Sequence, residues 1–382
     1  MTTNTQTHKH TNTQQEPYQS QTKIEELESI RGLAALLVVF FHIPKWNTLL
    51  DIGIINNGYL MVELFFVLSG YVIYNAYAHK ITNKNDLFRF QFLRFGRLYP
   101  VHFVFLVVFI FIELAKYIAQ SKLGITSPNS QPFRENNLTA IVQQLFLVQA
   151  IGPTNNATTF NGPAWSISVE FYTYFIFGVF VLLATKKKDL FFSVIALFSL
   201  ALLVNQTTFG FNDLFRCFAG FFIGCLTASA TKAMRINLPK YASLLVLAFI
   251  VLFLQLKTTK QYDVAIYFLT AALIASIVLS KRGYLNYALN LKILTWLGSI
   301  SYAVYMSHAA ILWIANQVIR VILKKPVILI SEKSTPQLNT IETLIAWGVI
   351  TLIVLMVSTL VYRIIEKPMR EKSRRFAFHS LN

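Results

Sequence analysis

Apolar runs of about 17–25 residues recur along most of this 382-residue chain, and that is the length a helix needs to cross a hydrocarbon core. Inside a bilayer every backbone N–H and C=O must be paired within the protein, so only helices or a closed barrel can span it. Barrel strands would be about ten residues long and would alternate apolar with polar positions. These runs do not alternate. Composition agrees, with 55% hydrophobic residues, 13% charged residues and a mean hydropathy of +0.52. A water-soluble chain carries about twice that share of charge. The sequence is therefore read as all-α, a polytopic membrane helix bundle.

Charge placement sets the topology. A net charge of +17 would suit nucleic acid, but the cations sit in short clusters between apolar runs, as cytoplasmic loops do. No nucleic-acid partner is expected; membrane lipids are. The runs fall near 28–44, 59–79 and 101–119, then from Trp165 to the three lysines at 186–188, then near 189–206, 213–230, 241–257, 264–280, 293–316 and 341–364. Lys80, Lys84, Arg89, Arg94 and Arg97 follow the second run. Lys232, Arg235 and Lys240 mark another inner loop, and Lys281, Arg282 and Lys292 a third. About ten transmembrane helices result, in the plasma membrane, with both termini cytoplasmic. One outer loop runs against the rule, with Arg320, Lys324, Lys325 and Lys333. LTAIVQQLFLVQAI, from Leu138, is too short and too polar to span and is expected to be re-entrant or interfacial.

Three units follow: a disordered cytoplasmic tail over 1–27, a membrane domain over 28–370 and a basic cytoplasmic tail over 371–382. The first tail has no apolar run and is not expected to be a cleaved signal. Its His8 and His10 are read as solvated, and no metal site is expected. Cys217 and Cys225 would stand about 12 Å apart on one helix, too far for a disulfide, and are read as small apolar filler.

A charged side chain near the bilayer centre costs about 2.5–3.5 kcal/mol, so each one is a candidate functional residue. In ESIRGLAALLVVFFH, at 28–42, Arg31 and His42 lie eleven residues apart. That is close to three turns and about 16 Å, which puts both on one face, Arg31 at the cytoplasmic end and His42 in the outer half. On spacing alone a snorkelling arginine with an interfacial histidine remains open. Glu28 stands one turn before Arg31 and can hold it. Glu170, in WSISVEFY at 165–172, is either an interfacial acid or a carboxylate placed to orient or charge-balance a histidine. Tyr302, Tyr305 and His308 recur every third residue in LGSISYAVYMSHAAIL at 297–312, a polar stripe that is either catalytic or a seam between helices. In FLRFGRLYP at 92–100, Arg94 and Arg97 share a face. They are either positive-inside charge or a phosphate clamp, and Pro100 is expected to restart the next span. Glu113 with Lys116, and Asp213 with Arg216, are read as structural pairs.

These segments, with GYLMVELFFVLSGYVI from Gly58 and a closing IEKP at Ile365, stand in the order of a known family. The chain resembles the acyltransferase-3 group of bacterial integral membrane acyltransferases over about 28–370. Six motifs in order carry the resemblance. Glu63 stands where an Asp is usual, and Leu93 where a second Arg often precedes Arg94. No appended esterase-like domain, which some relatives carry, is expected.

The resemblance implies an O-acyltransferase. It would take an acyl group, often acetyl, from cytoplasmic acyl-CoA (acetyl-CoA). The acceptor would be a hydroxyl on a glycan or lipid-linked glycan at the outer side of the membrane. No permanently bound cofactor is implied. His42 and Arg31 are implied as essential, with Glu170 and the arginines of RFGRLYP also involved. His308 is added here as catalytic, and Glu63, Trp165, Ser166, Tyr302 and Tyr305 as substrate contacts or support. Residue chemistry fits: a histidine is the usual base for an alcohol proton, and phosphates of CoA call for a basic face. Two other classes compete. A transporter of an acylated or glycan precursor would also carry midplane charges and a re-entrant segment, though 28–180 and 213–370 show no internal similarity. A non-catalytic scaffold would tolerate loss of His42.

Overall fold

The apolar runs fold as helices whose ends follow the polar residues between them. The computed structural model describes residues 24–379 apart from 127–128, 185, 281–282 and 331–332. Residues 1–23 of the expected N-terminal tail, with His8 and His10, and the pair Lys281 and Arg282 lie outside the described residues; Glu25–Leu27, expected in that tail, already belong to α1. In chain order the α-helices are α1 (Glu25–His42), α2 (Gly53–Asn56), α3 (Met61–Tyr77), α4 (Lys84–Leu123) and α5 (Leu138–Leu145). Then come α6 (Trp165–Leu183), α7 (Lys188–Val204), α8 (Asn212–Ala233), α9 (Ala242–Leu256) and α10 (Ala265–Leu279). The last are α11 (Tyr284–Leu289), α12 (Lys292–Ser299), α13 (Ser301–Gln317), α14 (Thr340–Val361) and α15 (Lys367–His379).

Local chemistry sets several ends. Glu25, Glu26 and Glu28 fill the first turn of α1, where acids suit the helix dipole. Asn83 caps α4, and Gly124, at φ 63°, ends it in the left-handed region. Asn137 caps α5, and Asn339 with Glu342 forms a capping box on α14.

Four differences from the sequence reading stand out. Among the described residues six helices are long and apolar enough to cross a membrane, or seven if α12 and the stretch from Ser301 to Ile322, bent by 66°, count as one span. The other three expected spans fall short: α1 carries Glu25, Glu26, Glu28 and Arg31, while α7 has 17 residues and α9 has 15. Second, α4 is one continuous helix of 40 residues, about 60 Å long. Pro100 lies inside it and restarts nothing; Arg94 and Arg97 are on the helix, not in a loop. Third, the basic outer loop forms a two-stranded antiparallel ribbon, β1 (Val327–Ile330) with β2 (Lys333–Pro336), in which Val327 faces Pro336. Fourth, α14 runs through a π-turn (Tyr362–Glu366) into α15, so the expected basic tail is helical as far as His379. The segment from Leu138 forms an eight-residue helix, too short to span, followed by irregular backbone.

The main core joins α3, α6, α8, α10 and α13 through residues such as Val67, Phe177, Phe221, Ile266 and Met306. A second cluster joins α1, α13 and α14 through Val39, Trp46, Val304 and Val354. Outside, α7, α9 and α14 expose Leu197, Phe198, Phe249, Leu252, Leu352 and Met356, a surface suited to lipid. α12 lies hard against α1: a Cβ on Gly298 would fall 2.2 Å from the Glu28 carbonyl oxygen, so only glycine fits. That contact brings the α12–α13 break beside Arg31.

Candidate active site

Two adjoining spaces lie at the end of the bundle where α1, α4, α13 and α15 meet. The larger is a vestibule of about 920 Å³. Lys80, Arg89, Arg94, Arg97, Arg370 and Arg374 supply its cations. The smaller is a cavity of about 80 Å³ whose polar lining is Arg31, Ser69, Arg97, Glu170, Tyr174 and Tyr305, among others. Val72, Ile73, Arg97, Ser301 and Tyr302 line both, so the throat between them lies there.

The three arginines are held differently. Arg31 Nη1 donates to Glu28 Oε1 at 3.2 Å, the one-turn pairing expected from sequence. Arg94 is 9% exposed; its Nη2 donates to Tyr77 Oη at 3.1 Å, and its guanidinium lies 5.2 Å from the Tyr77 ring centre and 5.7 Å from that of Phe90. Those rings fix it by cation–π attraction. Arg97 makes no hydrogen bond or ion pair among the described residues. The two clamp arginines thus share a helix face but not a state: Arg94 is fastened by hydrogen bond and rings, and Arg97 is not.

Glu170 lies in the narrow cavity, not with the histidines. Ser69 Oγ and Tyr174 Oη each donate to its Oε1 at 2.5 Å. The reading of Glu170 as a histidine's partner is corrected on that geometry. α6 turns it towards α3, where it shares a cavity with Arg31 and Arg97.

His42 and His308 meet each other instead. Their ring centres are 4.9 Å apart, with planes at 52°. His42 Nδ1 is 2.9 Å from the Val38 carbonyl oxygen, and His308 Nδ1 is 3.2 Å from that of Val304. A carbonyl only accepts, so each Nδ1 carries the hydrogen and each neutral ring keeps its lone pair on Nε2. His308 is fully buried and its Nε2 has no partner, whereas His42 is exposed. The pair therefore joins the core to the surface. Tyr305 connects it to the cavity: it lines that space, and its ring lies 6.0 Å from His308.

The rest of the polar stripe braces helices. Tyr302 Oη donates to Leu98 O at 2.6 Å. Tyr305 Oη reaches Pro163 O and Ser166 Oγ, each at 2.9 Å. Glu63, 2% exposed, accepts from Arg216 Nε at 2.7 Å, and the same guanidinium binds Asp213 at 3.0 Å and lies 4.3 Å from the Trp165 ring centre. Glu63 and Trp165 thus belong to an ion-pair cluster that ties α3, α6 and α8 together. Glu113 and Lys116 pair at 2.8 Å, as read, and Glu113 also accepts from Phe133 N and Asn136 Nδ2, which pins the following loop. Sequence reasoning missed Ser69, Tyr174, Arg216 as the partner of Glu63, and Glu366. Tyr174 stood one turn from Glu170, a spacing that could have revealed it; the others needed tertiary contacts.

Comparisons with known proteins bear on the whole chain. A family model described as an acyltransferase domain matches residues 24–363. The chain is 25% identical to "Putative peptidoglycan O-acetyltransferase YrhL" of Bacillus subtilis, over 94% of this chain and 57% of that protein. It is 30% identical to "Acyltransferase MdmB" of Streptomyces mycarofaciens, over 43% of this chain and 41% of that one. It is 30% identical to "Protein 2 in picA locus" of Rhizobium radiobacter, over 48% of this chain and 94% of that one. The chain thus spans little more than half the length of the Bacillus relative. No solved structure matches.

Proposed function

The chain belongs to the acyltransferase-3 family, matched over residues 24–363, and on that premise we propose that it is a membrane-bound O-acyltransferase. It takes an acyl group, acetyl in the simplest case, from cytoplasmic acyl-CoA and gives it to a hydroxyl of a cell-surface or exported glycan at the outer side of the membrane. The observation that carries this is the continuity of the spaces: an arginine-lined vestibule narrows at Arg97 into a cavity that ends at Tyr305, and the imidazole pair stands beyond it. The basic vestibule is taken to face the cytoplasm, where CoA is found, because cations concentrate on the inner side of membrane proteins.

The donor's parts match these spaces in order. Its phosphates need several cations, and Lys80, Arg89, Arg94, Arg370 and Arg374 surround the wide end. Its thin pantetheine arm suits the narrow cavity, where Arg31, fixed by Glu28, and Arg97 stand on its path. Glu170 offsets their charge. The thioester then faces Tyr305 and the histidines.

His42 acts as the general base, because its Nε2 is free and it faces the open side from which an acceptor comes. Nε2 takes the proton of the acceptor hydroxyl as the oxygen attacks the thioester carbonyl. The tetrahedral intermediate collapses with loss of the C–S bond, and the thiolate leaves as CoA after protonation. His308 Nε2, buried behind His42, is the nearest second imidazole to exchange that proton. The name of the Bacillus relative points to a glycan as the acceptor class.

The 66° break between α12 and α13 favours a second reading, a transporter of an acylated or glycan precursor, since bent helices beside a cavity serve transporters too. Purified full chain with acetyl-labelled CoA and an acceptor glycan separates them. The enzyme reading expects label on the glycan, lost in His42→Ala; movement of an intact substrate with no transfer would replace it.

A further inference from the structure

The closing IEKP segment has no part in the chemistry above, yet the fold spends a distortion on it. Down α14 the buried line runs through Val354 and Ser358. In an unbroken α-helix, residue 365 would stand about 20° from the line of Ser358 and residue 366 about 80° from it. Ile365 would then face in and Glu366 sideways. The π-turn at Tyr362–Glu366 inserts one extra residue, and the buried line resumes one position late, at Glu366, Ser373 and Ala377. A costly carboxylate is turned inward where an isoleucine was available. Single π-turns of this kind gather at functional sites.

Glu366 is 3% exposed, lines the vestibule, and leaves Oε2 without a hydrogen-bond partner. The charges that face it are Arg97, Arg370 and, of its own sign, Glu28. Among the described residues Arg97 itself has no hydrogen bond and no ion pair within 4 Å. The two helices involved are locked together: a Cβ on Gly96 would fall 2.4 Å from the Ser373 Cβ, and the Phe92 and Phe376 rings stand 5.4 Å apart. The two helices are thereby packed closely on either side of Glu366 and Arg97, which line the same space.

We infer that Glu366 is the positioning residue for Arg97, holding its guanidinium across the throat so that it meets the acyl donor as the donor passes from the vestibule into the narrow cavity. This rests on the donor reading given above. It gives the π-turn its purpose: without the extra residue the acid would not face α4.

The test is acetyl-CoA affinity of the full chain in detergent, by calorimetry, for the unaltered protein, Glu366→Gln, Arg97→Gln and the double variant. Glu366→Gln is expected to weaken binding about 10-fold, the worth of one misplaced charge-assisted hydrogen bond. It should add nothing further in the Arg97→Gln background, which a merely structural role would not produce. Glu366→Asp, which keeps the charge, should recover most of the affinity; if Glu366→Gln does not fold, Glu366→Ala, alone and with Arg97→Gln, takes its place. Unchanged affinity, independent effects that multiply, or tighter binding (as expected if Glu366 only diluted the positive charge) would overturn the inference while leaving the donor reading intact. No binding to the unaltered protein would overturn the donor reading and this inference with it.

Discussion

The two ends of the bundle treat charge in opposite ways. Towards the ends of α1 and α4 that lie opposite the vestibule, charges are consumed in pairs: Lys45 with Asp51 at 2.6 Å, Lys116 with Glu113 at 2.8 Å, Arg216 with Glu63 at 2.5 Å, Lys257 with Asp263 at 2.7 Å. The reactive groups there are imidazoles, which can stay neutral. At the vestibule the cations outnumber the acids, and Arg97 is left unpaired at the throat. Paired charges are read as scaffold, because removing either partner would leave the other buried and uncompensated. An unpaired cation beside a large space is a demand for an anion. That difference assigns the donor to one end and the chemistry to the other.

Several substitutions would break or sharpen this division. The largest effect belongs to His42→Ala, which should cut acyl transfer by about 10²–10⁴-fold, the usual worth of a general base, with acetyl-CoA affinity unchanged; single-turnover kinetics beside a binding isotherm reads both. Next is Arg216→Ala, which leaves Glu63 buried and unpaired. It should cost about 3–5 kcal/mol of stability, seen as a lower melting midpoint in detergent. Arg97→Ala should do the reverse, leaving the midpoint near that of the unaltered protein while weakening acetyl-CoA binding about 10-fold or more, since it removes a charge-assisted contact and no structural pair. The smallest effect is expected for Lys45→Ala, at an exposed pair worth about 0–1 kcal/mol. Its hydrogen bond to Asp51, helped by Asn56, holds that carboxyl below the usual range. A depressed acid stabilises above its ordinary pKa and stops doing so as pH falls through the lowered value. Lys45→Ala should therefore be felt near neutral pH and vanish in strong acid, by melting at both.

Much of the fold was legible because hydropathy reports long helices directly: α3, α6, α8, α10 and α14 lie within a few residues of the apolar runs. Charge was the misleading signal. Arg94 and Arg97 looked like a loop, but the helix runs on through them; the Phe90 contact on the Arg94 guanidinium is a one-turn pairing, whereas that of Tyr77 comes from another helix. Of the site, Glu28 with Arg31 was readable from one-turn spacing. That the rings of His42 and His308 meet was not readable, since 266 positions separate them. Glu170 was found but given the wrong neighbour, because Ser69 lies on another helix. Glu366 was hidden by the π-turn, which breaks the 3.6-residue period on which such readings rest.

The account's central claim is that donor binding and acyl transfer reside at different ends of one path. It is tested most directly by titrating acetyl-CoA into His42→Ala and Arg97→Ala and following acetyl transfer to a glycan with the same preparations. The division predicts that His42→Ala binds as the unaltered protein does and fails to transfer, while Arg97→Ala loses affinity and regains much of its transfer at saturating acetyl-CoA. If His42→Ala still transfers at the normal rate, or if both variants lose binding alike, the division is wrong.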